Sequence, residues 1–180
     1  PNLSKYIQSG NKKKIDFIQN KSLELCLFLS LPAALALLIA SEEITSSLFG
    51  YGSFDLESVK NSSRALFYFA LGLPAFSMIK IFSSFLFARH NTKVPFYFSV
   101  FSVILNITIS LYFFNKIGFI IIPIATTISS WINAFLLLIY LNNKNYFSLN
   151  LNFFKYFLKI SFSTIITCFI FFYLIEIFSN

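Results

Sequence analysis

The sequence predicts an all-α fold, a polytopic transmembrane helix bundle of about five spans. Three observations lead there. Of 180 residues, 57% are hydrophobic and only 12% charged, with mean hydropathy +0.73 and 26 phenylalanines. Water-soluble domains are about half apolar and a quarter charged. A soluble fold of this length has too little interior to hide that much apolar surface, whereas a bilayer solvates it. Secondly, apolar runs of about 20 residues recur, the length a helix rising 1.5 Å per residue needs to cross a membrane. Thirdly, the basic residues sit mainly between these runs. Barrel strands take only about 9–11 residues and alternate polar with apolar, so runs this long are helices.

The first span is expected at 23–40, short and with Pro32 inside it. The second, 65–88, contains Pro74. The third, 95–114, opens on Pro95, where a missing N–H costs little. The fourth, 117–141, carries Pro123 in its first turns, and the fifth covers 154–178. The internal prolines each free a carbonyl and permit a kink. Between the first two spans, 41–64 forms a long loop. Its "FGYGSFD" reads as a turn ahead of a short amphipathic piece.

The net charge is +7, from 14 Lys+Arg against 7 Asp+Glu. Because the cations lie in the connections, they read as topology signals and not as a nucleic-acid surface. Lys5, Lys12, Lys13, Lys14, Lys21, Arg89, Lys93, Lys144 and Lys155 fall on one side of the membrane. Only Lys60, Arg64 and Lys116 fall on the other. That bias puts 1–22 in the cytoplasm, Arg89 and Lys93 in a cytoplasmic turn, and 41–64, with Glu42, Glu43, Asp55 and Glu57, outside. Residue 1 is Pro and not Met, so a piece of a longer chain is expected.

No catalytic constellation is present. The single histidine, His90, sits in a basic turn, and there is no nucleophile elbow, phosphate-binding glycine loop or metal-ligand cluster. No metal and no cofactor is implied, and the chain does not read as an enzyme. Cys26 and Cys168 lie within apolar runs as small core residues. What the spans carry instead is polar stripes at helical spacing: Ser77, Lys80 and Ser84 in the second; Ser99, Ser102, Asn106 and Ser110 in the third. Thr126, Ser130 and Asn133 follow in the fourth, and Ser161, Thr164 and Cys168 in the fifth. Such residues either pack helices through hydrogen bonds or line a polar path. Lys80, Ser77, Ser84, Asn106 and Asn133 are the candidates for the path.

Lys80 is the sharpest of these. Nine residues from Arg89, it lies about 13 Å below that interface, close to the midplane at about 15 Å. Snorkelling recovers about 6 Å at most. A lysine there costs about 3 kcal/mol, and Leu would serve packing better. Lys80 is therefore expected to face a wet cavity, a carbonyl cluster, or a carboxylate on a helix from elsewhere. A buried structural partner is the alternative.

Three stretches resemble a known family, the MurJ (MviN) lipid II flippases. "LCLFLSLPAALALLIASEEITSSLFGYGSFD" is similar to a family helix and its following glycine turn. "RALFYFALGLPAFSMIKIFSSFLFARHNTKVP" is similar to a family helix and turn in which Lys80, Phe87, Ala88, Thr92 and Pro95 fit, while Asn91 and Val94 replace the usual Asp and Thr. "GFIIIPIATTISSWINAFLLLIYL" matches at Gly118, Ala125, Thr126, Ser129, Trp131, Asn133 and Ala134. Glu24 departs from the pattern, standing where many relatives carry a basic residue. The resemblance implies part of a larger two-lobe MATE-like transporter, with these helices the ninth to thirteenth of about fourteen. It implies alternating access that moves a lipid-linked peptidoglycan precursor from the inner to the outer leaflet of the bacterial inner membrane. The partners it implies are that precursor, membrane lipids and the N-terminal lobe of the same chain, and no nucleic acid. Lys80 matches a basic position of the pattern. A polysaccharide-lipid flippase or cation-coupled exporter of the same superfamily is the nearer alternative reading; few acidic residues within the spans, only Glu24 and Glu176 near their ends, disfavour the exporter. A membrane-embedded transferase on lipid-linked sugars is the alternative from another class.

Overall fold

The computed structural model describes residues 2–52, 55–149 and 151–179. Ser53 and Phe54 of the glycine turn, and the side chains of Phe154 and Glu176, lie outside what is described. The chain runs through α1 (Asn2–Gln8), α2 (Lys12–Ile39), α3 (Ser41–Phe49), α4 (Leu56–Phe87) and α5 (Lys93–Ile117). A 3-10 turn (Gly118–Ile120), α6 (Ile121–Asn143) and α7 (Leu151–Ser179) complete it. No strand occurs among the described residues.

Four helical stretches among the described residues are long and apolar enough to cross a membrane: Lys12–Ile39, Leu56–Phe87, Lys93–Asn143 and Lys155–Tyr173. The third, at 51 residues, folds back on itself. Gly118 breaks it with φ +74°, a left-handed conformation that glycine adopts without penalty. Beyond it, α6 packs antiparallel to α5: Ser102 donates to the Ser129 carbonyl at 2.8 Å, and Asn106 donates to Thr126 Oγ1 at 2.8 Å. The step from 102–129 to 106–126 is the register of a helical hairpin. Each half, at 25 and 23 residues, is about 35 Å long, more than the roughly 30 Å hydrocarbon core.

Local signals set the ends. Asn11 caps α2 by accepting from the Lys14 N–H. Asp55 caps α4 by accepting from the Ser58 N–H at 2.8 Å. In the 41–64 connection the short helix, α3, comes before the glycine turn and not after it. Glu42 and Glu43 in its first turn suit a helix N-terminus, and α4 starts directly behind the Asp55 cap. Both α2 and α4 stay helical through Pro32 and Pro74. Pro123 is the third residue of α6, where it removes no helical hydrogen bond of consequence.

The helices pack as a row. Contact runs from α7 to α2, α2 to α4, α4 to α6, and α6 to α5, with α3 folded over the start of α4. The main core lies in the middle of the row, toward the helix ends that carry most of the basic residues. There Leu23 and Leu27 of α2, Phe82, Phe85 and Leu86 of α4, and Leu137 and Leu141 of α6 enclose Phe147. Phe85 and Phe147 have ring centroids 5.7 Å apart. The outer surfaces stay apolar, as on Ile104, Leu111, Phe135, Phe162 and Phe169. Such a surface belongs in lipid.

Candidate functional site

The candidate residues fall into separate places. Lys80 and Ser77 meet in an open groove of about 370 Å³ between α2 and α4, walled by Cys26, Leu29, Ser30 and Leu73. Lys80 is exposed there. The one ion pair among the described residues joins Lys21 to Glu24, so no carboxylate of theirs neutralises Lys80. Opposite, Ser30 is 4% exposed and its hydroxyl has no hydrogen-bond partner. Ser77 and Cys26 line the groove from its two helices. Ser84 shares the outward side of α4 with Lys80, and its hydroxyl donates to its own helix at the Ile81 carbonyl. The groove is therefore apolar in its walls, with one ammonium and one spare hydroxyl in it.

Asn106 and Asn133 are elsewhere. Asn106 is held between α5 and α6 by Thr126, and Ser110 donates to its Oδ1 at 3.4 Å. Asn133 is 5% exposed, with its Oδ1 unpartnered. The stripe on α5 is thus paired with the stripe on α6, the hydrogen-bonded packing that membrane helices use. The face of α4 that carries Lys80 has no such partner among the described residues.

The turn residues do more than set topology. Helices α4 and α6 end in the same motif. The N–H groups of His90 and Asn91 return to the carbonyls of Phe87 and Leu86; those of Asn145 and Tyr146 return to Asn142 and Leu141. His90 and Asn145 take the left-handed position, φ 57° and 54°. Arg89 joins the two ends. Its guanidinium donates to the Phe85 carbonyl at 2.9 Å and the Tyr146 carbonyl at 2.7 Å, and stacks 4.7 Å from the Tyr146 ring. Burial pushes Arg89 below its ordinary value, and Tyr146 and Asp16 act against that shift. Asn91 accepts from the Val94 N–H at the start of α5. Lys93 is exposed beside it.

Sequence reasoning missed two structural contacts. Thr127 donates to the Tyr68 carbonyl at 2.7 Å, and Trp131 Nε1 donates to the Leu71 carbonyl at 3.1 Å. Both cross from α6 to α4 beside Gly72, where an added Cβ would sit 3.0 Å from Thr127 Oγ1 and 2.8 Å from the Phe76 ring. A small residue at a helix crossing was the available signal.

A row of long apolar helices, hydrogen-bonded through small polar residues and exposing Lys80 in an apolar groove, defines a multi-pass membrane protein. The family model described as "Lipid II flippase MurJ" matches residues 1–180, and the chain belongs to that family. Similar curated proteins include "Probable lipid II flippase MurJ" of Rhizobium meliloti (strain 1021), 40% identical over 137 residues, 76% of this chain and 26% of that one. The Rickettsia prowazekii (strain Madrid E) protein of the same description is 35% identical over 140 residues, 78% of this chain and 28% of that one. A solved structure, "Lipid II flippase MurJ, inward closed conformation", superposes with TM-score 0.78 at 29% identity, covering 93% of this chain and 34% of that one. The chain thus spans about a quarter to a third of the proteins it matches.

Proposed function

We propose that this chain supplies five membrane spans of one lobe of a lipid II flippase of the bacterial inner membrane. The whole protein moves the lipid-linked peptidoglycan precursor from the inner to the outer leaflet by alternating access; it is a transporter and not an enzyme. The match of the family model from residue 1 to 180 carries this reading. The spans are α2, α4, α5, α6 and α7. The end bearing Arg89, Lys93 and the α1–α2 lysines faces the cytoplasm, and α3 with the Gly50–Gly52 turn lies outside.

In this arrangement Lys80 faces the lobe interface. A lone cation in an apolar wall holds no value for packing. It does attract the diphosphate of a polyprenyl-linked precursor by charge and by up to three N–H donors. An interface open to water lowers the cost of placing a cation at this depth. Ser77, three residues before it on α4, offers a hydroxyl nearby. The Arg89 clamp holds the inner ends of α4 and α6 together, so that α4 carries Lys80 as part of a rigid body. The substrate path needs the other lobe, so the segment alone does not transport.

The test is depletion and rescue. A strain depleted of its own flippase receives the full-length chain, or the 180-residue segment alone, and lipid II exposed on the outer leaflet is measured. The full chain restores exposure and the segment does not. Correct insertion of the full chain without any restored exposure would contradict the substrate assigned.

A further inference from the structure

A second charged groove lies toward the opposite helix ends, and nothing in the flipping mechanism calls for it. It has a volume of about 530 Å³, between the start of α4, the start of α6 and α3. Lys60 and Arg64, one turn apart on α4, stand on one wall, and Glu42 of α3 on another. All three are exposed, and none makes an ion pair among the described residues. The rest of the wall is largely apolar: Phe67, Ile117, Ile120 and Ile124. Ser63 lies in it too, but its hydroxyl is spent on the Lys60 carbonyl.

The position excludes the lobe interface proposed for Lys80. Sixteen residues separate Arg64 from Lys80, which puts them about 160° apart around α4. Arg64 thus shares its side of α4 with the α5–α6 hairpin, whose outer residues Ile122 and Ile128 are exposed apolar surface suited to lipid. A groove with two cations and one anion unpaired across a gap, over an apolar floor, complements a head that carries a phosphate and an ammonium on an acyl stem. We propose that it seats a phosphatidylethanolamine-type phospholipid. The phosphate lies against Lys60 and Arg64, the ammonium against Glu42, and an acyl chain along Phe67, Ile120 and Ile124.

Native mass spectrometry of the full-length chain, released from detergent with phosphatidylethanolamine, phosphatidylglycerol or phosphatidylcholine, tests this. Phosphatidylethanolamine is expected to be retained up to about 5-fold over the other two, the range of a few exposed charge pairs. Glu42→Gln abolishes that preference but keeps phosphatidylglycerol. Lys60→Gln with Arg64→Gln loses both lipids. Lys60→Arg with Arg64→Lys keeps them, which separates lost charge from lost fold. Equal retention of all three lipids by the unaltered chain would overturn the proposal. So would undiminished retention by the double Gln variant, or displacement of the lipid by inorganic phosphate alone, which would make it a site for soluble phosphate. Failure here leaves the flippase assignment untouched, since the two rest on opposite faces of α4.

Discussion

Two basic side chains nine residues apart, Lys80 on α4 and Arg89 in the turn just past its end, have opposite fates. Arg89 is satisfied: two carbonyls and an aromatic face take up its guanidinium. A lysine cannot reproduce that fork. Arg89→Lys should therefore lower stability by about 1–3 kcal/mol, the range for a hydrogen bond to a charged group, seen as a lower thermal midpoint of the purified full-length chain. Lys80 has no such partner among the described residues. Its replacement by Leu removes the cost of a charge at depth and should leave the midpoint unchanged or raise it. The pair sets a basic residue that holds the fold against one proposed to serve function. His90 gives a smaller test: at φ 57°, His90→Gly relieves a left-handed strain of about 1 kcal/mol and should not destabilise.

At the scale of the element, the α4–α6 crossing depends on Gly72. Ala there meets Thr127 and Phe76 at contact distances that real Cβ atoms avoid. Gly72→Leu should force the helices apart, lose the bonds to Tyr68 and Leu71, and cost about 1–3 kcal/mol from overpacking alone. A lower yield of folded protein in detergent would register it. The start of α4 has a pH dependence. Ser58 bonds to the Asp55 carboxylate and pulls it below the usual carboxylate range. A depressed value means the cap stabilises α4 at pH above the unfolded value near 3.9. That stabilisation fades as pH falls through the lower folded value. Protection of the amides in Leu56–Lys60, taken relative to the intrinsic exchange rate at each pH, should fall on acidification, and in Asp55→Ala should be low already at neutral pH. The polar stripes show where sequence reading stops. Periodicity put Ser102, Asn106 and Thr126 on helix faces, but it could not say that the faces of α5 and α6 meet each other. Spacing along one helix carries no information about the neighbour. The Arg89 clamp was hidden for the same reason, because Tyr146 is 57 residues away.

For the whole molecule, composition and run length were enough to fix a helical membrane fold, because only helices or closed barrels satisfy the backbone in lipid. They could not give the order of the row, which depends on side-chain fit between distant segments. The proposed orientation makes its own forecast. In the full-length chain, a cysteine at Tyr51 should react with a membrane-impermeant thiol reagent in intact cells, and one at Ser9 only after permeabilisation. The reverse pattern would invert the topology drawn from charge. We propose that this open row of helices, with Lys80 exposed in an apolar groove, works against a further part of the same protein. That claim turns on Lys80. The most direct measurement is outer-leaflet lipid II in a depleted strain rescued by the full-length chain with Lys80 intact, Lys80→Arg or Lys80→Leu, at equal membrane levels. The account predicts that Lys and Arg both restore exposure and Leu does not. Full rescue by Lys80→Leu would contradict it, and would return Lys80 to a structural part.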